Sequence, residues 1–342
     1  MTPVRVAAID VGTNSVKLLV ADPGPPLRAV LETGIQTRLG EGFYPDRILQ
    51  PAAIARTVQA VQQLVERARR VGAARFRLFA TSAAREARNQ DELRQALETL
   101  TGIPLEVISG QQEARWAFLG ARTHPDLSRA FMVVVEVGGG STQIIAGQHR
   151  QILFQASHPW GAVRLWEQAG LSDPPAPEER ARLKEQLRQA MEAELVPAFR
   201  EHVHVASDES TSAKPPLPVA VGGTALTLAR IRLATESWDR RALEQLRLSR
   251  AELRTLADRL WSTPLAQRRQ WPGLPPERAD IILTGSLIYE QLTETLGFES
   301  WRFSTRGLRF GAILDLLENQ EATPFCNQPA ALDRQPENPA SN

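Results

Sequence analysis

The chain contains one sequence pattern twice, at residues 6–20 and again at residues 132–146. In each copy an apolar run ends in a carboxylate, Asp10 or Glu136, which is followed by Val and Gly. Small or polar residues and a serine come next, and the apolar pattern then resumes. Alternating apolar runs around a short polar segment predict a strand, a tight loop and a second strand. The sequence therefore predicts two related halves, each of which begins with the same hairpin.

The loops of the two predicted hairpins carry residue types that suit an anion. The first loop is Gly12, Thr13, Asn14 and Ser15, and the second is Gly138, Gly139, Gly140, Ser141 and Thr142. Glycine lets the backbone approach a ligand with its N–H groups, and Ser and Thr add hydroxyl donors. If the motif occurred once, an ordinary polar hairpin turn would be enough to explain the first loop. Ordering three consecutive glycines costs about 0.5–1 kcal/mol each relative to alanine. Close approach of the backbone to an anion would explain why they are present. We expect a phosphate chain or nucleotide between the halves.

Composition and charge restrict the class of protein. The 342 residues suffice for two domains, and 42% hydrophobic with 23% charged residues is typical of a soluble protein. A net charge of +1 does not favour a nucleic-acid partner. The single cysteine, Cys326, excludes an intramolecular disulfide framework. The first apolar run is too short for a signal peptide, and none reaches the roughly 20 residues of a membrane span. We expect a cytoplasmic protein without a membrane partner.

Strands and helices alternate along the first half, which predicts an α/β fold. Expected strands lie at residues 4–9, 16–21, 27–33, 75–80 and 105–108, and expected helices at 51–71, 91–100 and 111–119. In the second half we expect strands at 132–137 and 219–221, one long helix at 178–199, a loop at 206–218, and helices at 225–233, 249–261 and 308–317. The apolar run 281–283 is read as a strand before Thr284-Gly285-Ser286. Residues 321–342 are rich in Pro and Asn, and we expect disorder there.

Further candidates lie outside the repeat. Glu113 stands near the start of a predicted helix. The simpler explanation is a solvated carboxylate that is stabilised there by the helix dipole. Arg85 follows a strand, and its guanidinium suits phosphate oxygens, although a surface pair with Glu86 explains it equally well. Arg306 is similar. Gly222-Gly223 and Gly285 each stand between an apolar run and a predicted helix, which is the geometry of an anion site.

Taken in order, these motifs resemble the exopolyphosphatase/guanosine pentaphosphate phosphatase (Ppx/GppA) family within the actin-like ATPase superfamily. The resemblance covers about residues 4–320. It rests on segments 8–15, 80–89, 108–115, 136–142, 161–165, 222–225 and 305–309.

The resemblance implies two ribonuclease-H-like (actin-like) α/β domains with an active-site cleft between them. Residues 1–124 plus 306–320 would form the first domain and residues 125–305 the second. The implied reaction is release of terminal orthophosphate from polyphosphate, or hydrolysis of guanosine pentaphosphate (pppGpp) to the tetraphosphate, with Mg²⁺ or alternatively Mn²⁺. Members of the family often form dimers, which leaves a homodimer open.

The resemblance also assigns roles to residues. Glu113 matches the catalytic glutamate that positions or deprotonates water, against the simpler explanation above, and Asp10 and Glu136 match metal-binding positions. Phosphate-binding positions are matched by Gly12, Thr13, Asn14, Ser15, Arg85, Gly138, Gly139, Gly140, Ser141, Thr142, Gly222, Gly223 and Arg306. Lys17 and Gln143 lie within the repeated segments, and their roles stay open.

Two positions depart from the family pattern. The family usually has Asp where this chain has Glu136, whose oxygens reach about 1.5 Å further. It usually has Glu where this chain has Gln143, which can be neither an anion nor a base. The two departures predict an altered metal dependence. The chain also stops near the end of the two-domain core, which puts processive action on long polymers in question.

Two other functions are compatible with the loops. An actin-like or sugar-kinase ATPase would use the same two loops, but little sequence is left to build a sugar site. A regulator that binds guanosine tetra- or pentaphosphate with weak catalysis would explain Glu136 and Gln143. The sequence does not choose between polyphosphate and pppGpp, because both present the same terminal phosphoanhydride.

Overall fold

The computed structural model describes residues 4–203 and 215–319. Its first half contains β1 (Arg5–Val11), β2 (Ser15–Asp22), β3 (Arg28–Gln36), α1 (Pro51–Arg70), β4 (Ala73–Ala80), α2 (Ser82–Glu86), α3 (Gln90–Thr101), β5 (Leu105–Val107) and α4 (Gly110–Ala121). The second half contains β6 (Phe131–Val137), β7 (Thr142–Gln148), β8 (Gln151–His158), α5 (Ala162–Ala169), α6 (Pro177–Glu194), α7 (Val196–Val203), β9 (Leu217–Val221) and α8 (Gly222–Leu233). It continues with α9 (Arg240–Gln245), β10 (Arg247–Ser249), α10 (Arg250–Ser262), α11 (Leu265–Arg268), α12 (Ile282–Leu296), β11 (Ser300–Phe303) and α13 (Leu308–Glu318).

The two halves contain mixed sheets with the same strand order. The first sheet runs β3-β2-β1-β4-β5, and the second runs β8-β7-β6-β9-β11 with β10 added at its edge. In the first sheet β1, β2 and β3 are antiparallel, β4 pairs in parallel with β1, and β5 pairs in parallel with β4. The second sheet repeats this with β6, β7 and β8 antiparallel, β9 parallel to β6, and β11 parallel to β9. The repeat therefore corresponds to equivalent hairpins, β1–β2 and β6–β7. The expected α/β fold with two actin-like sheets is confirmed.

Helix α13 returns to the first sheet. Leu308, Phe310 and Ile313 are buried in one cluster with Val6 of β1 and Trp116 of α4. This placement agrees with the segment 306–320 that we assign to the first domain. The domain boundaries themselves stay a prediction.

Four expectations need correction or lie outside the described residues. The helix expected at 178–199 is interrupted at Leu195, because Pro197 in the following turn lacks an N–H and its ring obstructs a continuous helix. The run 281–283 is not a strand, since α12 begins at Ile282 and buries Gly285 inside it. Most of the loop expected at 206–218 and the tail at 321–342, with Cys326, lie outside the described residues. Between residues 4 and 203 and between 215 and 319, no helix has the length and apolarity that crossing a bilayer requires.

Helices α4 and α13 cross through glycines. A methyl group added to Gly120 would overlap the carbonyl oxygen of Gly307, and one added to Gly311 would overlap that of Trp116. In both cases the obstacle is backbone, which cannot rotate away. The first turn of α4 carries Glu113, so this crossing fixes that carboxylate relative to the rest of the fold.

We expect Gly120→Ala to destabilise the protein by about 1–3 kcal/mol, as overpacked cores do. In an isolated helix the same change would stabilise the helix by about 1 kcal/mol. A loss of stability in the protein therefore indicates the close backbone contact between α4 and Gly307. Urea unfolding of both proteins measures the difference. An unchanged or higher stability would show that the two helices do not meet backbone to backbone at this point.

Candidate active site between the two hairpins

The loops of the two equivalent hairpins face and touch each other. A methyl group on Gly139 would lie 2.9 Å from Cβ of Thr13, and one on Gly140 would overlap the hydroxyl of Ser82. None of Gly138–Gly140 has a positive φ. The glycines expected to admit an anion thus also let the loops of the two halves approach each other closely. Arg164 holds the second loop from behind, donating from Nε to the Gly140 carbonyl and pairing with Glu86 of the first half at 2.6 Å.

Between the loops lies a cavity of about 50 Å³, which we call the chamber. Its walls bring together residues from both halves of the chain. They include Asp10, Gly12, Thr13, Asn14, Ser15, Lys17, Thr81, Ser82, Glu113, Glu136, Gly138, Gly139, Gly140, Ser141, Gly223, Thr224 and Arg278. Residues more than two hundred positions apart in sequence thus meet around one phosphate-sized space.

Two carboxylates stand at equivalent strand ends of the chamber. Asp10 in β1 is 4% exposed and Glu136 in β6 is 7% exposed. One oxygen of each, Oδ1 of Asp10 and Oε2 of Glu136, is buried and accepts no hydrogen bond. Burial raises the pKa of both carboxyls above their usual values. Gly222, at φ +83°, makes room for Glu136, because a methyl group there would lie 2.6 Å from its Oε1. Unpartnered buried carboxylate oxygens carry a large desolvation cost that a cation would offset.

Glu113 projects from the first turn of α4, a helix capped by Ser109, whose hydroxyl accepts from the Gln112 N–H. Glu113 is 5% exposed, so the solvated helix-start carboxylate is not what the structure shows. Arg85 donates to its Oε2 at 3.1 Å. Burial raises the pKa of Glu113 to about 8; Arg85 lowers it, while Glu136 and Asp10 raise it. A buried carboxylate with such a pKa is suited to accept a proton near neutral pH.

A second cavity, of about 320 Å³, opens from the chamber and is called the basic cavity here. Four cationic side chains line it, those of Lys17, Arg230, Arg278 and Arg309, together with four carboxylates, those of Asp10, Glu32, Glu136 and Glu277. Sequence reasoning missed Arg278 and Arg309, and left Lys17 open. Among the described residues, no carboxylate lies within 4.0 Å of the Lys17 ammonium or of the Arg278 guanidinium. Burial lowers the pKa of Lys17 and of Arg278, so both are charges that an anion would stabilise.

Four features that were expected to contact an anion lie elsewhere or reach the chamber only through another residue. Arg306 lines neither cavity, and its guanidinium donates to the carbonyl of Thr123 at 2.9 Å. It therefore joins the two chain segments that connect the halves, near residues 123 and 306. Thr142 is fully buried and its hydroxyl donates to the Trp160 carbonyl. Arg85 reaches the chamber only through Glu113. The Thr284 hydroxyl donates to the Ala162 carbonyl inside the core, so Thr284-Gly285-Ser286 forms no anion site.

Gln143 lies directly opposite Glu136 in the β6–β7 register and is fully buried. Its Nε2 donates to Ser141 Oγ at 2.7 Å and to Ser157 Oγ at 3.2 Å, and its Oε1 has no partner. Lys17 occupies the equivalent place opposite Asp10. Cross-strand partners stand about 5 Å apart at Cβ, so position 143 is a neighbour of the Glu136 carboxylate.

The donor set fits a hard divalent cation held partly by substrate. In the described part of the chain, no group of three or more His, Cys, Asp or Glu forms a complete metal site. The two unpartnered carboxylates supply two oxygen ligands, and Mg²⁺ typically takes one or two carboxylates together with phosphate oxygens and water.

Comparison with known proteins identifies relatives along nearly the whole chain. The model of the Ppx/GppA phosphatase family matches residues 19–320. "Exopolyphosphatase 2" of Mycobacterium tuberculosis is 35% identical over 336 residues, which cover 92% of this chain and 99% of that protein. A crystal structure of the Aquifex aeolicus Ppx/GppA family member matches with a TM-score of 0.74 and 27% identity, over 94% of this chain and 99% of the other. An exopolyphosphatase from Cytophaga hutchinsonii shares the fold, with a TM-score of 0.80, 22% identity and coverage of 92% and 98%.

Proposed function

The chain belongs to the Ppx/GppA phosphatase family, and from this premise we propose that it releases terminal orthophosphate from inorganic polyphosphate and hydrolyses pppGpp to the tetraphosphate. The observation that carries the proposal is the chamber, where the buried Glu113 carboxylate stands beside two glycine- and serine-containing loops. The "Exopolyphosphatase 2" relative supports polyphosphate as the substrate. A cytoplasmic location and a homodimer stay predictions.

The chamber would hold the terminal phosphoryl group. Residues of both loops, among them Ser15 and Ser141, surround a space of its size, and their hydroxyls and backbone N–H groups would donate to the phosphoryl oxygens. Donors that are already in place when charge develops on the phosphoryl oxygens stabilise the transition state without reorganisation. Lys17 and Arg278 line both the chamber and the basic cavity, so they would bind the next phosphates of the chain.

Glu113 would act on the attacking water. Its carboxylate faces the chamber, and Arg85 holds its Oε2 by one hydrogen bond, which leaves the other oxygen to accept from water. Water attacks the terminal phosphorus, the bridging P–O bond breaks, and the proton of the water passes to Glu113. A positioned base of this kind contributes about 10²–10⁴-fold to the rate.

Asp10 and Glu136 would hold Mg²⁺, with Mn²⁺ as the alternative. Each of these two residues would supply one unpartnered carboxylate oxygen as a ligand of the cation. When bound, the cation supplies charge compensation for the phosphate oxygens and for the departing chain. The extra length of Glu136 is accommodated by Gly222, whose missing side chain leaves the space that the longer carboxylate occupies.

Gln143→Glu should strengthen cation binding. The new carboxylate would lie about 5 Å from Glu136, and Coulomb's law in water at that distance gives a gain of at least about tenfold for a divalent cation. We expect the half-saturating Mg²⁺ concentration for orthophosphate release to fall accordingly. Equal rates and equal Mg²⁺ dependence in the two proteins would refute a link between position 143 and the cation.

The same variant has a stability readout that does not depend on turnover. Without cation, two carboxylates directly opposite on neighbouring strands repel each other, so Gln143→Glu should unfold at a lower temperature than the wild type. Added Mg²⁺ should raise its melting temperature more than that of the wild type. Gln143→Met, which has a similar volume and no charge, serves as the matched control.

The lining of the basic cavity supports pppGpp beside polyphosphate. Trp238, which is 49% exposed, lines this cavity together with Ile35 and Leu226. A linear polyphosphate has no apolar part to place against such groups, whereas a purine base stacks on aromatic rings. The cavity thus provides cationic side chains for phosphates and an apolar surface for a base.

The substrate is tested by orthophosphate release from long-chain polyphosphate, short-chain polyphosphate and pppGpp in parallel, with Mg²⁺ and with Mn²⁺. We expect release from polyphosphate and from pppGpp. Tight binding of guanosine tetra- or pentaphosphate without any release would instead favour a regulator. Phosphorylation of a small acceptor by ATP would favour a kinase.

A further inference from the structure

A third cavity adjoins the second loop at Ser141 and shares no lining residue with the basic cavity. It measures about 530 Å³ and is called the outer cavity here. Arg85, Gly110 and Gln111 form its wall in the first half, and Ser141, Gln155 and Ser157 belong to its wall in the second half. The residues that line it take no part in the proposed chemistry, apart from the Arg85 contact with Glu113 and the place of Ser141 in the chamber.

Only a thin layer separates the outer cavity from the chamber. Ser141 lines both spaces. Beside it, Arg85 lines the outer cavity, Glu113 lines the chamber, and the two are joined by the 3.1 Å ion pair. One serine side chain and one salt bridge thus stand between the place where orthophosphate would form and the outer cavity.

The layer contains small side chains and an incompletely bonded amide. The fully buried Gln143 amide bonds to both Ser141 and Ser157, and its Oε1 is left without a partner. Opposite Ser157 stands Gly110, where an added methyl group would lie 2.6 Å from Ser157 Oγ. Serine hydroxyls can rotate without backbone movement, and because both accept from the Gln143 amide, their own O–H groups can donate to a passing phosphate oxygen.

The two cavities differ in the cations that they present to the chamber. Asp10, Glu32, Glu136 and Glu277 also line the basic cavity, but its Lys17 and Arg278 line the chamber as well and form no ion pair among the described residues, which suits a polyanion. The outer cavity has the single cation Arg85 and the carboxylate Glu86, which is already paired with Arg164. Such a space would bind a long phosphate chain weakly, whereas a single dianion could pass the Arg85 guanidinium.

We infer that orthophosphate leaves the chamber through the layer formed by Ser141 and the Arg85–Glu113 pair into the outer cavity, while the shortened phosphate chain stays in the basic cavity. This inference rests on the proposed function. Hydrolysis gives orthophosphate at the Glu113 side and a chain shorter by one phosphate at the Lys17 side. Separate routes let orthophosphate leave while the shortened chain is still bound.

Gln155 offers a test, because it is exposed, lines the outer cavity and does not line the chamber. Gln155→Glu should slow orthophosphate release severalfold, because a carboxylate on the wall of the cavity repels a passing dianion. Gln155→Trp should slow release by obstructing the cavity. Gln155→Lys and Gln155→Ala are the matched controls, and neither should slow it.

Bond cleavage is measured by rapid quench and release by a fluorescent phosphate-binding protein, both on short-chain polyphosphate with Mg²⁺. In Gln155→Glu and Gln155→Trp we expect cleavage at the wild-type rate, followed by a lag before release. Simultaneous cleavage and release in both variants would overturn the inference. A raised KM for long-chain polyphosphate without a lag would also overturn it, because the outer cavity would then hold the polymer. No cleavage by the wild type would refute the proposed function itself.

Discussion

Glu113→Gln is expected to lower the rate of orthophosphate release by about 10²–10⁴-fold, the contribution of a positioned general base. Glutamine keeps the size of the side chain and an oxygen that can accept from Arg85, but it cannot take a proton. KM should change little, because Glu113 contributes little charge to substrate binding. A rate within severalfold of the wild type would contradict the role of Glu113.

The pH dependence should identify the same group. Activity requires the carboxylate, and burial raises the pKa of Glu113 from 4.5 to about 8. The rate of the wild type should therefore rise with pH along an acidic limb that ends near pH 8. Mg²⁺ should shift this limb to lower pH, because a cation at Asp10 and Glu136 cancels the negative charge that raises the pKa of Glu113. Arg85→Gln should move the limb up, since the positive charge that lowers the pKa is removed.

Stability separates loss of the base from misfolding. A carboxyl whose pKa is higher in the folded state binds its proton more tightly there, so folded-state stability falls as pH rises from about 4.5 toward 8. Glutamine carries no charge at any pH. Glu113→Gln should therefore melt no lower than the wild type at pH 8 or above.

The second large effect concerns the two unpartnered carboxylates. Asp10→Asn and Glu136→Gln should each lower the rate at saturating substrate by at least about 10²-fold and raise the Mg²⁺ requirement, because charge compensation by a cation is worth several kcal/mol. Rates across a Mg²⁺ titration measure both effects. Without substrate, Mg²⁺ should raise the melting temperature of the wild type but not that of either variant.

Glu290→Gln is the matched control for this prediction. Glu290 is also a buried carboxylate, 4% exposed, but it pairs with Arg180 and Lys184 and lines neither the chamber nor the basic cavity. The variant should lose stability and keep the wild-type Mg²⁺ dependence. Unchanged Mg²⁺ dependence in Asp10→Asn and Glu136→Gln would contradict the assignment of these residues to the cation.

The repeated hairpin was predictable because local pattern determines it. Alternating apolar residues, a carboxylate at the strand end and glycine in the turn are short-range features, and Asp10 and Glu136 stand at equivalent places in the two sheets. The run 281–283 shows the limit of such reasoning. A short apolar run fits a buried strand and a buried helix equally well, and packing decided for the helix.

Long-range contacts could not be predicted from pattern. Arg278 lies in a turn-rich segment without a motif, and only the fold brings it to the chamber. Arg306 has the residue type and position expected of a phosphate ligand, yet it bonds to Thr123 at the chain crossing. The burial of Glu113 likewise depends on the crossing of α4 and α13, which no local feature of residues 109–115 reveals.

The central claim is that water attacks the terminal phosphorus of a phosphate chain in the chamber. The most direct measurement is hydrolysis of polyphosphate by the wild type in ¹⁸O-labelled water with Mg²⁺, followed by mass spectrometry of both products. The account predicts one ¹⁸O atom in each released orthophosphate and none in the shortened chain. Label in the shortened chain, or no orthophosphate at all, would contradict it.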